Sequence, residues 1–214
     1  VTDTNATANT VAENAANGTT VGVTAIASDA DGSNNTITYT LDNNAGGRFA
    51  IASGTGIVTV ANATLLNFES ATSHSITVRA TSSDGSFSTQ SFTINLSDVD
   101  EFDVGSVTDT NATANTIAEN TANGTAVGIT ASASDADGSN NSITYSLDDN
   151  AGGRFAIASG TGIVTVANST LLNFESATSH NVTVRATSSD GSFSTQVFTI
   201  SLTDVDEFDV GSVT

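Results

Sequence analysis

The residues of this chain that could do chemistry are its acids, because other reactive side chains are few. Of 214 residues, 23 are Asp or Glu, while Lys and Arg together number 4, so the formal net charge is −19. The absence of Cys removes thiol catalysis, disulfides and thiolate metal sites. Imidazole comes only from His74 and His180. With so little positive charge, nucleic acid is excluded as a partner and an anionic membrane surface is disfavoured.

The acids are placed rather than scattered. In the first half of the chain they lie in turns and at the ends of predicted strands, and four of them crowd into residues 98–103. Carboxylates this close repel each other by about 1 kcal/mol or more per pair at an effective dielectric constant near 20. The few Arg cannot compensate, so a hard divalent cation is expected, and a carboxylate-rich cage favours calcium over magnesium. The alternative, an acidic surface that only maintains solubility, leaves the Asp-x-Asp spacings unexplained.

The elements that must position these acids occur twice. Residues 107–214 repeat residues 1–108 with 14 differences, at a period of 106 residues. A period this long fits one domain per copy rather than one unit of a solenoid. We therefore predict a first repeat over 1–103, whose linker acids span 98–103, a second repeat over 104–209, and the start of a truncated third repeat at 210–214. The absence of an initiator Met and a signal peptide favours a piece of a longer array.

Each copy has the pattern of strands. Val, Ile and Thr alternate with small polar residues in runs such as Ile37–Leu41 and Ile76–Ala80, which is the period of a strand with one buried face. Clusters such as Asp31–Asn35 mark turns between them. The short stretch from Leu65 to Phe68 allows one helical turn at most. The prediction is an all-β chain: two tandem Greek-key β-sandwiches of about seven antiparallel strands each.

Five motifs in the same order in both copies resemble the cadherin-like repeat of bacterial surface adhesins. In the first copy they are Ala12-Glu-Asn followed by Gly18-Thr; Ala27-Ser-Asp-Ala-Asp-Gly followed by Ile37-Thr-Tyr-Thr-Leu; Arg48-Phe-Ala-Ile leading to Leu66-Asn-Phe-Glu; Val78-Arg-Ala-Thr-Ser-Ser-Asp-Gly; and Asp98-Val-Asp-Glu-Phe. The resemblance implies a cadherin-like fold with calcium bound between successive repeats. It does not extend to the Trp-bearing N-terminal strand or the His-Ala-Val stretch of vertebrate adhesive cadherins.

Carried over residue by residue, the resemblance implies one complete junction and two half-sites. The junction would use Glu13, Glu69, Asp98, Asp100, Glu101, Asp135, Asp137 and Asp190, with a backbone carbonyl at Phe102. The half-sites would be Asp29, Asp31 and Asp84 near the start, and Glu119, Glu175, Asp204, Asp206 and Glu207 near the end. A long linker follows the junction acids, and its oxygen-bearing Asp103, Asp109 and Asn111 could join the cage or form a separate one.

The function that this implies is an extracellular, cell-surface spacer or adhesion module, stiffened by Ca²⁺ and by contacts with neighbouring repeats of the same chain. An enzyme is not expected, because no nucleophile motif surrounds either His. Two alternatives stay open: a calcium-dependent module that binds polysaccharide or another cell surface, and a module that associates with itself. Sugar faces usually need exposed aromatic rings, whereas most of the aromatic residues are expected at core or linker positions: Tyr39, Phe49, Phe68, Phe87, Phe92 and Phe102. No apolar run reaches the length of about 18 residues that membrane insertion needs.

Overall fold

The chain folds into two compact all-β units, as a computed structural model that describes residues 1–206 shows. The first unit spans Val1–Val99 and the second begins at Asp100. In the part of the chain that the structure describes, each unit has eight strands in two four-stranded sheets, so the predicted fold class is confirmed. The helical content of the described residues is two short 3₁₀ turns, Ala63–Leu65 and Ser169–Leu171. The repeat boundaries predicted from the sequence period stay a prediction.

In unit 1 the two sheets have the strand orders β1-β3-β6-β5 and β2-β8-β7-β4. The strands are β1 (Thr2–Asp3), β2 (Thr10–Ala12), β3 (Thr20–Ile26), β4 (Ile37–Asn43), β5 (Phe49–Ile51), β6 (Ile57–Val60), β7 (Ser73–Ser82) and β8 (Phe87–Ser97). Side chains of β7 alternate in the predicted way, since Ile76, Val78 and Ala80 are buried while Thr77 and Arg79 are half-exposed. The core therefore lies between the two sheets.

Unit 2 repeats this arrangement, with sheets β9-β11-β14-β13 and β10-β16-β15-β12. Its strands are β9 (Thr108–Asp109), β10 (Thr116–Ala118), β11 (Ala126–Ser132), β12 (Ile143–Asp149), β13 (Phe155–Ile157), β14 (Ile163–Val166), β15 (Ser179–Ser188) and β16 (Phe193–Thr203). Its core is again dominated by valine, and residues such as Val127, Val164, Val182 and Val184 are fully buried.

The N-terminal segment of each unit differs from the prediction of seven antiparallel strands. It is split into two short strands, of which β1 pairs antiparallel with β3 in one sheet and β2 pairs parallel with β8 in the other. The break between them is permitted by Gly22, whose φ is +85° and where a Cβ would lie 2.3 Å from the carbonyl oxygen of Ala8. The segment can therefore cross from one sheet to the other, which adds the eighth strand and the parallel pairing.

The long linker after the junction acids is part of the second sandwich rather than a spacer. Val104 and Val107 are 7% and 4% exposed and belong to the core of unit 2. Strand β9 follows at once and pairs antiparallel with β11. These residues are needed to close the core, so the linker between the two repeats is shorter than the sequence comparison indicated.

Candidate metal centres

Among residues 1–206, four clusters of three acids are formed within one unit or the other. In each cluster one carboxylate oxygen from every member lies within 4.8 Å of the others. Unit 1 holds Glu13 with Glu69 and Asp98, and Asp29 with Asp31 and Asp84; unit 2 holds Asp100 with Asp137 and Asp190, and Glu119 with Glu175 and Asp204. Oxygen atoms at this spacing suit a calcium ion, which takes ligands at about 2.3–2.6 Å.

Glu13 anchors the first cluster because it is buried and doubly bonded. One carboxylate oxygen accepts the backbone N–H of Phe68 at 2.5 Å and the other that of Val99 at 3.0 Å. Phe68 stands next to Glu69 and Val99 next to Asp98, so these two bonds bring the remaining members of the cluster together. Each carboxylate oxygen keeps a further lone pair that a cation can use.

Glu119 does the same in unit 2. Its side chain is 1% exposed and accepts the backbone N–H groups of Phe174 at 2.6 Å and Val205 at 2.9 Å. The neighbouring residues Glu175 and Asp204 are thereby placed beside it. The sequence pattern that carries this geometry is a Glu after a short strand, with the later acids adjacent to the residues that donate to it.

Asp137 is the centre of the cluster at the start of unit 2. Its side chain is 2% exposed, and its Oδ1 atom accepts the N–H groups of Glu101 and Phe102, both at 3.2 Å. Its Oδ2 atom is buried and has no hydrogen-bond partner, and the same holds for Oδ2 of Asp135. A buried carboxylate oxygen without a donor is costly. Two such atoms in an acidic cluster fit ligands of a cation.

The pKa of Asp100 reflects the same uncompensated negative charge. Burial, followed by repulsion from the neighbouring carboxylates of Asp190, Asp137 and Asp135, raises the pKa of this carboxyl above its usual value. By contrast, the pKa of Asp135 is lowered, chiefly by the hydroxyl of Ser188. The cluster therefore contains more negative charge than its surroundings compensate, which is the electrostatic condition that a divalent cation relieves.

The equivalent cluster in unit 1 is more open. Asp29 accepts the N–H of Asp31 at 3.1 Å and the hydroxyl of Ser82 at 2.5 Å. Asp84 accepts the N–H of Ser86 at 2.8 Å, and this bond lowers the pKa of Asp84. Asp31 and Asp84 are exposed, whereas the equivalent Asp137 and Asp190 are buried and half-buried. Hydrogen bonds within local turns thus orient these acids even though Asp31 and Asp84 are exposed.

The remaining predicted ligands lie outside these clusters. Asp109 lies in β9, where its Oδ1 atom accepts the N–H groups of Asn111 and Thr130, and Asn111 in turn accepts from Thr113. Asp103 and Asp206 are exposed. Phe102 is 41% exposed. Glu207 lies outside the described residues. Asp109 and Asn111 therefore serve the turn after β9, and their role as ligands stays a prediction.

One group of residues was missed by the sequence analysis. Phe87 was among the aromatic residues expected mostly at core or linker positions, but it is 59% exposed, because it starts β8 on the outward face of its sheet. The guanidinium of Arg79 lies 4.0 Å from its ring centroid and also forms two-pronged hydrogen bonds with Asp42. Unit 2 has the same trio in Phe193, Arg185 and Asp148. The sequence contained a signal for this position: Phe87 is an odd number of residues away from the buried residues of β8, so its side chain lies on the opposite face of the strand.

Within residues 1–206, none of the helices is both long enough and apolar enough to cross a lipid bilayer.

Comparisons with known proteins agree with the fold. Protocadherin Fat 4 of mouse is 34% identical over 155 residues, which is 72% of this chain and 3% of that protein. The solved structure of mouse cadherin-23 EC22-24 has a TM-score of 0.74 at 27% identity, covering 93% of this chain and 64% of that one. Protocadherin gamma B2 extracellular cadherin domains 1-5 give a TM-score of 0.75 at 22% identity, over 92% and 38% of the two chains, a likeness of fold alone.

These relatives are longer than this chain, which spans only a small part of mouse Fat 4 and less than two thirds of the cadherin-23 fragment. The family assignment comes from the model of the cadherin domain, which matches residues 8–97 and again residues 114–203. Both sandwiches are thus accounted for, and the chain belongs to the cadherin family as two tandem cadherin domains.

Proposed function

We propose that the chain is a calcium-stiffened extracellular spacer from a repeat adhesin of the bacterial kind. The observation that carries the proposal is Asp137, whose Oδ2 atom is buried without a hydrogen-bond partner in a cluster with Asp100 and Asp190. Such an arrangement is costly, and a cation bound among the three carboxylates would offset the cost. Calcium fits the donor set, which consists entirely of hard oxygen atoms.

The backbone directly connects one acidic cluster of unit 1 to one acidic cluster of unit 2. Asp98 belongs to the cluster of Glu13 in unit 1, and Asp100 belongs to the cluster of Asp137 in unit 2. A single residue separates them, so their Cα atoms are at most about 7 Å apart whatever the backbone conformation. Cations held at both clusters would therefore fix the short connecting segment from both sides. A flexible acidic hinge would become a stiff link.

The extracellular placement follows from the affinity expected for such sites. Extracellular calcium modules bind with dissociation constants of about 10⁻⁴–10⁻³ M, so they fill only where calcium is abundant. The cadherin domains of the protocadherin gamma B2 relative are described as extracellular. The two copies differ at 14 of 108 positions, as expected for interchangeable spacer units. A catalytic role is not part of the proposal.

The test is to remove calcium. At calcium concentrations of about 10–100 times the dissociation constant, each ion stabilises the folded state by about 1.4–2.7 kcal/mol. Chelation with EGTA is therefore expected to lower the Tm by several degrees per ion and to broaden the distance distribution in small-angle scattering. Identical melting and scattering curves with calcium and with EGTA would contradict the proposal.

A matched pair of variants makes the test specific. Asp137→Asn removes the central ligand and should reduce the calcium-dependent rise in Tm. Asp149→Asn is the control, because the equivalent position in unit 1 is already Asn43, and both side chains accept a backbone N–H in the same turn. The control should respond to calcium as the unchanged chain does. Equal responses of the two variants would argue against a site at Asp137.

A second candidate function, calcium-dependent carbohydrate binding, is supported by Phe87. Its ring is exposed while Arg79 and Asp42 beside it hold hydrogen-bonding groups in fixed positions, an arrangement that can stack on a sugar and bond its hydroxyls. Pull-down on insoluble polysaccharides, with calcium and with EGTA, tests this. The double variant Phe87→Ala, Phe193→Ala should no longer bind the polysaccharide. If the unchanged chain and the variant bind it equally, these rings do not form the binding site.

A further inference from the structure

The sequence has two Asn-Gly dipeptides, and they stand at the same place in the two repeats, at Asn17-Gly18 and Asn123-Gly124. An Asn that precedes Gly is especially prone to spontaneous deamidation, because glycine has no Cβ to hinder attack by its own backbone nitrogen. Both dipeptides are exposed to solvent, in the loop that leads into β3 or β11. Exposure alone would make both reactive, so the local contacts decide whether they react.

The reaction forms one bond and breaks one bond at the side-chain carbon of the Asn. The backbone nitrogen of Gly18 attacks Cγ of Asn17, the bond from Cγ to Nδ2 breaks, and the side-chain nitrogen leaves as ammonia with the proton of the Gly18 N–H. Water then opens the resulting succinimide to aspartate or isoaspartate. The attack requires that the Asn17 side chain turns toward its own main chain, and that the N–H of Gly18 is free to lose its proton.

Unit 1 meets neither requirement while it is folded. The Oδ1 atom of Asn17 accepts the backbone N–H of Ala63 at 2.7 Å, which holds the side chain against the 3₁₀ turn. The N–H of Gly18 donates to the backbone oxygen of Val60 at 2.8 Å, and the N–H of Val60 donates back to the oxygen of Thr19, also at 2.8 Å. Residues more than 40 positions away thus hold both reacting groups.

Unit 2 holds its dipeptide in the same way. The Oδ1 atom of Asn123 accepts the backbone N–H of Ser169 at 2.7 Å. The N–H of Gly124 donates to the oxygen of Val166 at 2.7 Å, and the N–H of Val166 donates to the oxygen of Thr125 at 2.9 Å. The residue that holds the Asn is Ser in this unit and Ala in the other, so its backbone N–H forms the contact whatever its side chain.

We propose that Asn17 and Asn123 are deamidation sites that the fold keeps closed, so that each is modified only when its own loop opens. Opening must break the hydrogen bond of the Asn side chain and that of the Gly N–H. Each such bond corresponds to a factor of about five in an equilibrium constant. Deamidation in the folded chain is therefore at least about 30-fold slower than in the unfolded chain.

The modification is irreversible and acts on the contacts that prevent it. Isoaspartate lengthens the main chain by one carbon atom next to Gly18, which displaces the N–H of Gly18 from Val60. Either product also adds a negative charge to a chain whose net charge is already −19. A unit that has opened long enough to react therefore closes less well. Because each unit has one site, the modified position identifies the unit that opened.

The experiment follows deamidation at the two sites by peptide mapping and mass spectrometry. The whole chain is incubated at neutral pH in EGTA, folded in one sample and unfolded in concentrated urea in the other, so the proposed calcium sites play no part. Both Asn17 and Asn123 should react at least about 30-fold more slowly in the folded sample. Similar rates in the two samples would overturn the proposal.

A matched pair of variants tests the contact that holds Asn17. Ala63→Pro removes the N–H donor, and the turn should tolerate it, because proline fits the first position of a helical turn and Asn62 before it is already extended, with φ −139° and ψ 98°. Ala63→Ser is the control, since it keeps the N–H and introduces the residue that unit 2 has.

Deamidation at Asn17 should be about fivefold faster in Ala63→Pro than in Ala63→Ser, while Asn123 reacts equally in both. Equal rates at Asn17 in the two variants would show that residue 63 does not hold this side chain. Hydrogen exchange of the unchanged chain gives a measurement that needs no variant. The amides of Gly18 and Gly124 should exchange at least about fivefold more slowly than in the unfolded chain, and unprotected amides would overturn the proposal.

Discussion

The buried carboxylate of Glu13 offers the sharpest test of how the clusters are built. It is 4% exposed, and its two oxygen atoms accept the N–H groups of Phe68 and Val99. Glu13→Gln keeps the shape but replaces one acceptor oxygen with an amide NH₂, which confronts one of these two donors. We expect unit 1 to be destabilised even without calcium.

The magnitude follows from two opposing effects. Loss of a hydrogen bond to a charged acceptor costs about 1.5–3 kcal/mol, and the buried N–H left without a partner adds about 1 kcal/mol or more. Removing the negative charge relieves repulsion within the cluster, and at 4.8 Å this is worth about 1 kcal/mol per pair in a water-like dielectric. With two acidic neighbours in the cluster the relief is about 2 kcal/mol, so the net loss is about 1 kcal/mol, which for a domain of this size lowers Tm by about 4–8 °C.

Differential scanning calorimetry in EGTA measures this directly. About half of the unfolding enthalpy should move to lower temperature, while the part that belongs to unit 2 stays in place. Glu119→Gln should move the other half. Glu69→Gln is the control: it removes a charge from the same cluster at an exposed position, so without calcium its transition should stay or rise. If Glu13→Gln melts at or above the temperature of the unchanged chain in EGTA, the hydrogen bonds to Glu13 do not carry the structure.

Three further outcomes are expected. Asp100→Asn should raise the Tm in EGTA at neutral pH, because the pKa of Asp100 is raised and its charge is unfavourable in the fold; the gain should shrink as the pH falls through that raised pKa, and calcium should reverse its sign. Burial, together with the positive charge of Arg48, lowers the pKa of His74, so folding disfavours its protonation and stability falls as the pH drops below about 6.5. Between pH 8 and pH 5 the Tm should therefore decrease less in His74→Leu than in the unchanged chain. Equal decreases of Tm in the two chains would contradict this. Gly22→Ala should destabilise unit 1 by about 1–3 kcal/mol in urea unfolding, since its φ is +85° and the carbonyl of Ala8 is in the way, whereas Gly54→Ala, in open space, should have little effect.

Much of the fold was predictable because the alternation of apolar and polar residues along the chain indicates the strands of a β-sandwich. Runs such as Ile76–Ala80 place every second residue in the core, and the structure has them in long strands. The grouping of acids was predictable for a related reason, since acids that follow strands collect at the ends of a sandwich. The resemblance to cadherin-like repeats implied one site that includes Glu13, Glu69 and Asp98, and the structure brings these three acids together. Their role as calcium ligands stays a prediction.

Other features depended on contacts that alternation does not encode. The parallel pairing of β2 with β8 requires the first strand to change sheets, which local sequence does not reveal. Phe87 looks like a core residue, but its register in β8 puts it on the outward face. Asp109 is a candidate ligand by its residue type, and only the structure shows that its carboxylate also accepts the N–H groups of Asn111 and Thr130.

The sequence by itself therefore determined the class of fold, the number of domains and the ends at which negative charge gathers, because periodicity and the positions of acids are properties of the chain alone. Only the tertiary structure decided which carboxylate oxygens are buried without a donor, as in Asp137, and which linker residues complete a core, as in Val104. The physical reason is that burial and hydrogen-bond satisfaction depend on atoms that are distant in sequence, and packing alone brings them together.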